Sequence, residues 1–402
     1  MKILIVSQYF YPEDFKVNDI AFDFVKRGHE VTVFTAKPNY PQGKFYQGYS
    51  FFGKSKETID GVKIIRIPII PRFNGKGKFL VFNYLSFIFF SFLFMHRVKG
   101  NYDVVFSHLP SPLIAALPAV WFRKKFNAKL YLWVLDLWPE TLQALLNLKE
   151  GIILKSLNKV IKYIYNKTDV VLISSNSYKK SILEKVDNKE KPIQFFPNWA
   201  ESVFTQSINE EDSEELPVFP EGFNVMFAGN IGDAQDFESI LEAAKLTQNE
   251  GINWILVGGG RKLKWIQAEI ESQAISNVYL FGRHPLESMP LFFTKADAML
   301  VSLKSDPVFS VTIPAKVQAY MASSKIILGM FDGEGKDLVN QSGCGFAVEA
   351  GNYKELAKKT IFVKDMSQEQ KQIMEQNAKC YYDNNFSKEQ LFDFLEQDFI
   401  KK

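Results

Sequence analysis

The feature that most constrains this chain is a strand–helix alternation that runs along it and then starts again. Apolar, β-branched runs occur at residues 3–6, 31–34, 64–67, 104–106, 130–135 and 170–173. Segments with helical spacing, such as 18–27 and 178–186, separate most of them. This alternation predicts parallel strands joined by helical crossovers that cover both faces of a sheet. The pattern restarts at 225–227, 254–257, 278–281, 298–303 and 326–328. A chain of 402 residues is too long for one ordinary domain and suits two of about 200 each. The expectation is two doubly wound α/β domains in tandem, covering 1–197 and 198–385. A final amphipathic helix follows within 386–402. The boundary falls at Phe196-Pro197-Asn198-Trp199. An acidic, apolar-poor run at 209–215 and the breakers Pro217 and Pro220 follow it, which suits a surface excursion.

Charge divides the two halves. Residues 1–197 hold 29 Lys and Arg against 15 Asp and Glu, and residues 198–402 hold 19 against 30. A basic first half points to an anionic surface, either phospholipid or a pyrophosphate-bearing acceptor, and nothing points to nucleic acid. The two cysteines, Cys344 and Cys380, form no disulfide framework or metal pattern, so a reducing cytoplasm is expected. Residues 2–6 read as a first strand and not as a cleavable signal.

Residues 79–95 break the alternation. They are Phe-rich, with Asn83, Ser86 and Ser91 as the clear polar interruptions. Arg72, Lys76 and Lys78 precede them, and His96, Arg97 and Lys99 follow. Three readings are open: a buried core helix, a bilayer span at the short limit of length, or an interfacial helix whose Phe face enters lipid. A span would separate neighbouring strands of one sheet, and the charge asymmetry favours the interface. The protein is therefore expected at the inner face of the plasma membrane, peripherally attached.

Ligands of open α/β sheets bind beyond the carboxyl ends of strands, where helix N-termini present amides. In the second domain Gly229-Asn230-Ile231-Gly232 follows a strand, and its glycines would admit a phosphate closely. Thr312-Ile313-Pro314-Ala315-Lys316 opens a helix, with Thr312 as candidate N-cap and Lys316 as either a diphosphate contact or a solvated helix lysine. Val257-Gly258-Gly259-Gly260-Arg261 is not a spaced dinucleotide fingerprint. Arg283, in Phe281-Gly282-Arg283-His284-Pro285, reads either as a phosphate contact or as part of a turn. In the first domain His108 and Asp136 lie at successive strand ends. His108 is either a structural residue or one that orients a sugar hydroxyl, and Asp136 is a candidate base. The sequence has no D-x-D tripeptide, P-loop, nucleophile elbow or zinc pattern, so no metal or resident cofactor is expected.

Five stretches carry a family resemblance. They are Ser7-Gln8-Tyr9-Phe10-Tyr11-Pro12-Glu13, residues 134–140 around Asp136, residues 227–232, residues 312–318 and Asp332-Gly333-Glu334-Gly335. With these the chain resembles glycosyltransferase family 4 of the GT-B fold, two Rossmann-like domains facing across a cleft. Within that family it is similar to the WbuB-like and WcaI-like enzymes of surface-polysaccharide assembly, which include N-acetyl-L-fucosaminyltransferases. The resemblance implies a UDP-sugar as co-substrate in the second domain and a polyprenyl-diphosphate-linked acceptor at the first. It also implies retention of anomeric configuration and a last helix that crosses back to the first domain. By position, Gly229, Asn230, Gly232, Arg283, Thr312 and Lys316 would hold the donor, while His108 and Asp136 would face the transferred sugar and acceptor. Val311 and Ala319 stand where the wider family has two glutamates. Gln318, beside the second, is the expected substitute for a ribose contact. Two other functions share this architecture: a UDP-N-acetylglucosamine 2-epimerase, and a non-catalytic subunit that binds a nucleotide sugar.

Overall fold

The structure is a computed structural model that describes residues 1–73, 77–146, 151–206 and 216–401. Lys76 and the acidic run at 209–215 lie outside the described residues. The chain divides into two compact units. Unit 1 comprises Met1–Phe196 and the residues from Asp398 onward, and unit 2 comprises Pro197–Gln397.

Unit 1 is built on an eight-stranded sheet in the order β3-β4-β2-β1-β5-β6-β7-β8. Its strands are β1 (Lys2–Val6), β2 (Glu30–Ala36), β3 (Lys56–Ile59), β4 (Val62–Ile67), β5 (Val104–Leu109), β6 (Lys129–Val134), β7 (Val170–Ile173) and β8 (Ile193–Phe195). Neighbouring strands pair in parallel except β3 and β4, which form an antiparallel hairpin. Ile3, at the centre, pairs with Val31 on one side and Val104 on the other. Residues 3–6, 130–134 and 170–173 are buried, as expected of parallel strands covered on both faces. The helices are α1 (Val17–Lys26), α2 (Gly77–Phe94), α3 (Leu117–Phe126), α4 (Glu140–Leu146), α5 (Ile152–Lys167) and α6 (Tyr178–Lys185).

Unit 2 carries a six-stranded sheet in the order β11-β10-β9-β12-β13-β14, parallel throughout. Its elements follow in alternation: β9 (Phe223–Asn230), α7 (Phe237–Leu246), β10 (Ile252–Gly259), α8 (Leu263–Ser272), β11 (Val278–Gly282), α9 (Met289–Thr294) and β12 (Ala298–Ser302). Then come α10 (Pro307–Ser310), α11 (Ala315–Ala322), β13 (Ile327–Met330), α12 (Glu334–Ser342) and β14 (Gly345–Val348). Three helices close the chain: α13 (Tyr353–Asp365), α14 (Gln368–Asn385) and α15 (Lys388–Ile400). The last turn of α15 returns to unit 1. The Tyr131 hydroxyl donates to Asp398 Oδ2 at 2.7 Å, and the Phe399 ring lies 4.6 Å from Tyr131, 5.6 Å from Phe24 and 6.2 Å from Phe106.

The strands β3, β8 and β14 escape the pattern reading, and each is short. β3 is the charged edge segment Lys56-Glu57-Thr58-Ile59, and edge strands favour charge. The segment read as a core, interfacial or spanning helix is α2, and its apolar side is not in the core. Its buried positions are Asn83, Ser86, Phe87 and Ser91, whereas Phe82, Leu85, Phe89 and Phe92 are exposed. Among the described residues it is the one helix long and apolar enough to cross a membrane.

A buried ion pair ties the β3–β4 hairpin into the sheet. Arg66 pairs with Glu57, their side chains 0% and 4% exposed, and the guanidinium also donates to the Tyr11 and Ala36 carbonyls. Removing one partner leaves the other charge buried without its counter-ion. Glu57→Ala is therefore expected to cost ~3–5 kcal/mol of stability, read as a lower urea midpoint for the full chain.

Candidate active site

The strand order reverses once in each sheet, between β1 and β5 in unit 1 and between β9 and β12 in unit 2. Neighbouring crossovers leave in opposite directions at such a reversal, so a crevice opens beyond the strand ends.

In unit 2 the opening is visible in the ladder. β9 and β12 pair at Val225–Ala298 and Met226–Met299 and then part. Beyond the split, the Tyr320 hydroxyl serves the Ala228 backbone. It accepts the Ala228 N–H at 3.2 Å and donates to the Ala228 carbonyl at 3.4 Å. Tyr320 lies on α11, and Lys316 lies one turn earlier on the same helix face. The Lys316 ammonium sits 4.4 Å from the centre of the Phe227 ring. A Cβ on Gly229 would come within 3.0 Å of that ammonium, and Gly229 has φ +140°. Glycine suits the backbone there, and a side chain would press on the end of the lysine. Lys316 makes no ion pair among the described residues, and burial pushes its ammonium down to about 8. No side chain caps the start of α11. A partly desolvated cation beside uncapped helix amides can take an anion with two or more oxygens.

The other expected donor residues fall in several places. Asn230 is exposed at the end of β9, whereas Ile231 and Gly232 just beyond it are buried, and the Gly232 N–H donates to Gln235 Oε1 at 3.1 Å. Arg283 is exposed after β11, and a Cβ on Gly259 would lie 3.9 Å from its Nε. Its neighbour His284 is part of the turn, with Nε2 3.0 Å from the Phe281 carbonyl. Thr312 is not the N-cap of α11. Pro314 holds that position, and the Thr312 hydroxyl instead donates to the Phe309 carbonyl at 3.0 Å. Proline fixes φ for the turn into the helix and leaves the threonine two residues too early to cap it. Gln318 is 2% exposed, and two residues along a helix from Lys316 it points to a different face. Gly258 answers to packing: with φ +144°, a Cβ there would lie 1.8 Å from the Gly229 carbonyl.

In unit 1 the loops after β1, β2, β5 and β6 meet at the carboxyl edge. The Glu13 carboxylate joins the first two. Its Oε2 accepts the Phe10 N–H at 3.2 Å, and its Oε1 accepts the Asn39 and Tyr40 N–H groups at 2.7 Å each. Burial pushes this carboxyl up to about 7 against those three amides. Helix α2 reaches the same place: Gln8 Nε2 donates to Asn83 Oδ1 at 2.7 Å, and Asn83 Nδ2 donates to the Ile70 carbonyl at 2.6 Å.

His108 is 1% exposed at the end of β5, between Phe15 and Trp133. The Ser7 hydroxyl donates to the Tyr9 carbonyl at 2.7 Å, which uses its only proton. Ser7 Oγ can then only accept from His108 Nδ1, 3.3 Å away, so Nδ1 carries the hydrogen and Nε2 the lone pair. Burial pushes the imidazole down to about 3. His108 is therefore neutral, donates from Nδ1 to Ser7, keeps Nε2 as an acceptor for a hydroxyl hydrogen bond, and is not a general acid. Asp136 lies two residues beyond β6, the neighbouring strand. Burial pushes its carboxyl up to about 6, and among the described residues it has no hydrogen-bond partner. Its charge contributes to raising the Tyr84 hydroxyl of α2, after that hydroxyl's burial. Sequence reading assigned no role to Glu13, Asn39, Asn83 or Tyr320. For Tyr320 the available signal was its place one helical turn after Lys316. Glu13 closes the quoted stretch after β1, but its partners, and the place of Asn39 and Asn83, depend on loops far apart in the chain, for which sequence carried no signal.

The Ser7 hydroxyl sets the His108 tautomer, which nitrogen NMR can read. In the intact protein His108 is expected to stay neutral from about pH 5 to 8 with an unprotonated Nε2. Ser7→Ala should give mixed tautomers.

Comparison with known proteins supplies the class of chemistry. Residues 17–201 match the model of Glycosyltransferase Family 4, and residues 208–380 match that of Glycosyl transferases group 1. WbjE of Pseudomonas aeruginosa, named as a probable glycosyltransferase, is 27% identical over 271 residues, covering 65% of this chain and 67% of its own. WcaI of Escherichia coli K12, named as a colanic acid biosynthesis glycosyl transferase, is 25% identical over 338 residues, covering 80% and 81%. Among solved structures, Anabaena HepE in complex with UDP superposes with a TM-score of 0.67 at 13% identity, covering 99% of each chain. The chain is thus a glycosyltransferase family 4 domain followed by a glycosyl transferases group 1 domain, carried on the GT-B fold.

Proposed function

We propose that this protein transfers a sugar from a UDP-sugar, bound by unit 2, to a polyprenyl-diphosphate-linked saccharide, bound by unit 1, in the assembly of a capsule, O-antigen or exopolysaccharide. In the narrower reading the sugar is an N-acetylated amino sugar, such as N-acetyl-L-fucosamine, transferred with retention at the cytoplasmic face of the membrane. The observation that carries the donor half is Lys316, a cation without a counter-ion among the described residues, at the mouth of the β9–β12 crevice. The names of WcaI and of the HepE–UDP complex support the same direction.

In this reading Lys316 and the first amides of α11 neutralise the diphosphate, with Arg283 as a second cation. This lowers the cost of the negative charge left on UDP as the glycosidic bond breaks. His108 Nε2 accepts a hydrogen bond from a sugar hydroxyl and fixes its orientation. Asp136, ionised above about pH 6, takes the proton of the acceptor hydroxyl. Val311 leaves the transferred sugar without the first glutamate of the wider family, and Ala319 leaves the ribose contact of the second to Gln318. That favours, as a second reading, a subunit that binds a nucleotide sugar without catalysis.

Incubation with a panel of UDP-sugars and a short polyprenyl-diphosphate saccharide should add the mass of one sugar to the acceptor. UDP binding without product from any donor would point to the non-catalytic subunit, and an isomerised donor without acceptor to an epimerase. Lys316→Ala is expected to weaken UDP binding roughly 10- to 100-fold in calorimetry, with its thermal midpoint unchanged. The ammonium binds the diphosphate only when protonated. Affinity should therefore be level below about pH 8 and fall as pH rises through that value, a dependence absent from Lys316→Ala. Asp136→Asn should lower kcat by about 10²–10⁴-fold, and intact kcat/KM should fall as pH drops below about 6.

A further inference from the structure

We infer that the outer face of α2, together with Phe51, Phe52 and Trp121, docks on the surface of an anionic bilayer, the helix lying in the membrane plane without crossing it. This goes beyond the transfer reaction and holds whether or not the chain transfers a sugar.

The helix is turned inside out relative to an ordinary surface helix. Its polar residues Asn83, Ser86 and Ser91 face the unit, while Phe82, Phe89 and Phe92 face outward, 54%, 58% and 62% exposed. The apolar surface continues onto other elements. The Phe51 ring lies 5.5 Å from Phe90 and 4.7 Å from Phe52, which is 86% exposed. On the opposite side the Phe92 ring lies 5.7 Å from Trp121 of α3. A contiguous apolar patch of this kind marks an interaction surface.

Two observations select the occupant. Residues 61–135 contain eleven Lys and Arg and a single carboxylate, Asp103. Lys78 and Arg97 lie over Phe79 and Phe94 at the two ends of the helix, and Lys125 donates to the Met95 and Val98 carbonyls just beyond it. Phe flanked by cations fits acyl chains flanked by lipid phosphates. A second copy of this chain would bring the same positive charge against it. The inward bonds select the orientation. Asn83 is bonded to Gln8 and Ile70, and the Ser86 hydroxyl accepts the Ile70 N–H at 3.0 Å. A crossing helix would leave these groups unpaired in hydrocarbon.

The test is flotation of the full chain with phosphatidylglycerol vesicles and with pure phosphatidylcholine vesicles. The protein should float with the first, less so at high salt, and bind the second more weakly. Replacing Phe82, Phe89 and Phe92 by Ser should lower the bound fraction at least tenfold, and Phe52→Ser should lower it severalfold, while UDP affinity and thermal midpoint report an intact fold. Nitroxide lipids labelled near the headgroup should quench fluorescence that Trp121→Phe removes. The inference is overturned if the intact protein binds neither vesicle, or if the triple variant floats undiminished. It is also overturned if the patch mediates a dimer in solution that the triple variant abolishes without any vesicle binding.

Discussion

Parallel strand pairing is the constraint from which the candidate site follows. Every crossover must leave from the carboxyl edge of its sheet, so the loops collect there, and the order of the strands decides where they part. In unit 2 the parting is abrupt, because β9 and β12 share only two register pairs. A backbone amide and carbonyl beyond such a split need partners, and the Tyr320 hydroxyl supplies both for Ala228. The helix that delivers Tyr320 also delivers Lys316 to the same strand end. Backbone satisfaction and the placing of a buried cation are thus two products of one helix face.

Desolvation gives the polar groups at these edges their chemistry. Burial holds His108 neutral, brings Asp136 towards neutrality and makes the Lys316 ammonium easier to deprotonate. The direction differs with the charge of the ionised form, but the cause is the same. Ser7 shows how small a group completes such a design: one hydroxyl proton committed to a carbonyl decides which nitrogen of His108 is available.

The strand–helix alternation made both sheets legible in the sequence, because buried parallel strands such as 3–6 and 170–173 are short apolar runs bounded by amphipathic helices. The strands β3 and β8 were not legible, one being charged at an edge and the other three residues long. Lys316 could be read because a lysine just inside a helix start is a local pattern. The mistaken cap at Thr312 was also local, and it failed because Pro314 sets the helix entry two residues later. The network of Glu13, Asn39 and Asn83 could not be read, since it joins loops separated by tens of residues and answers to no periodicity. The composition of α2 was plain in the sequence, but which side it turned to the sheet depended on three polar residues that looked like interruptions.

The path of α15 bears on how this protein is made. Phe399 completes a cluster with Phe24, Phe106 and Tyr131, and Asp398 receives the Tyr131 hydroxyl. During synthesis unit 1 emerges first, yet these positions lack their partners until about two hundred further residues have been added, on the order of ten seconds or more of translation. For that interval the Phe24, Phe106 and Tyr131 rings lack the Phe399 contact, and the Tyr131 hydroxyl lacks Asp398. The completion of unit 1 therefore waits on residues that follow unit 2 in the chain.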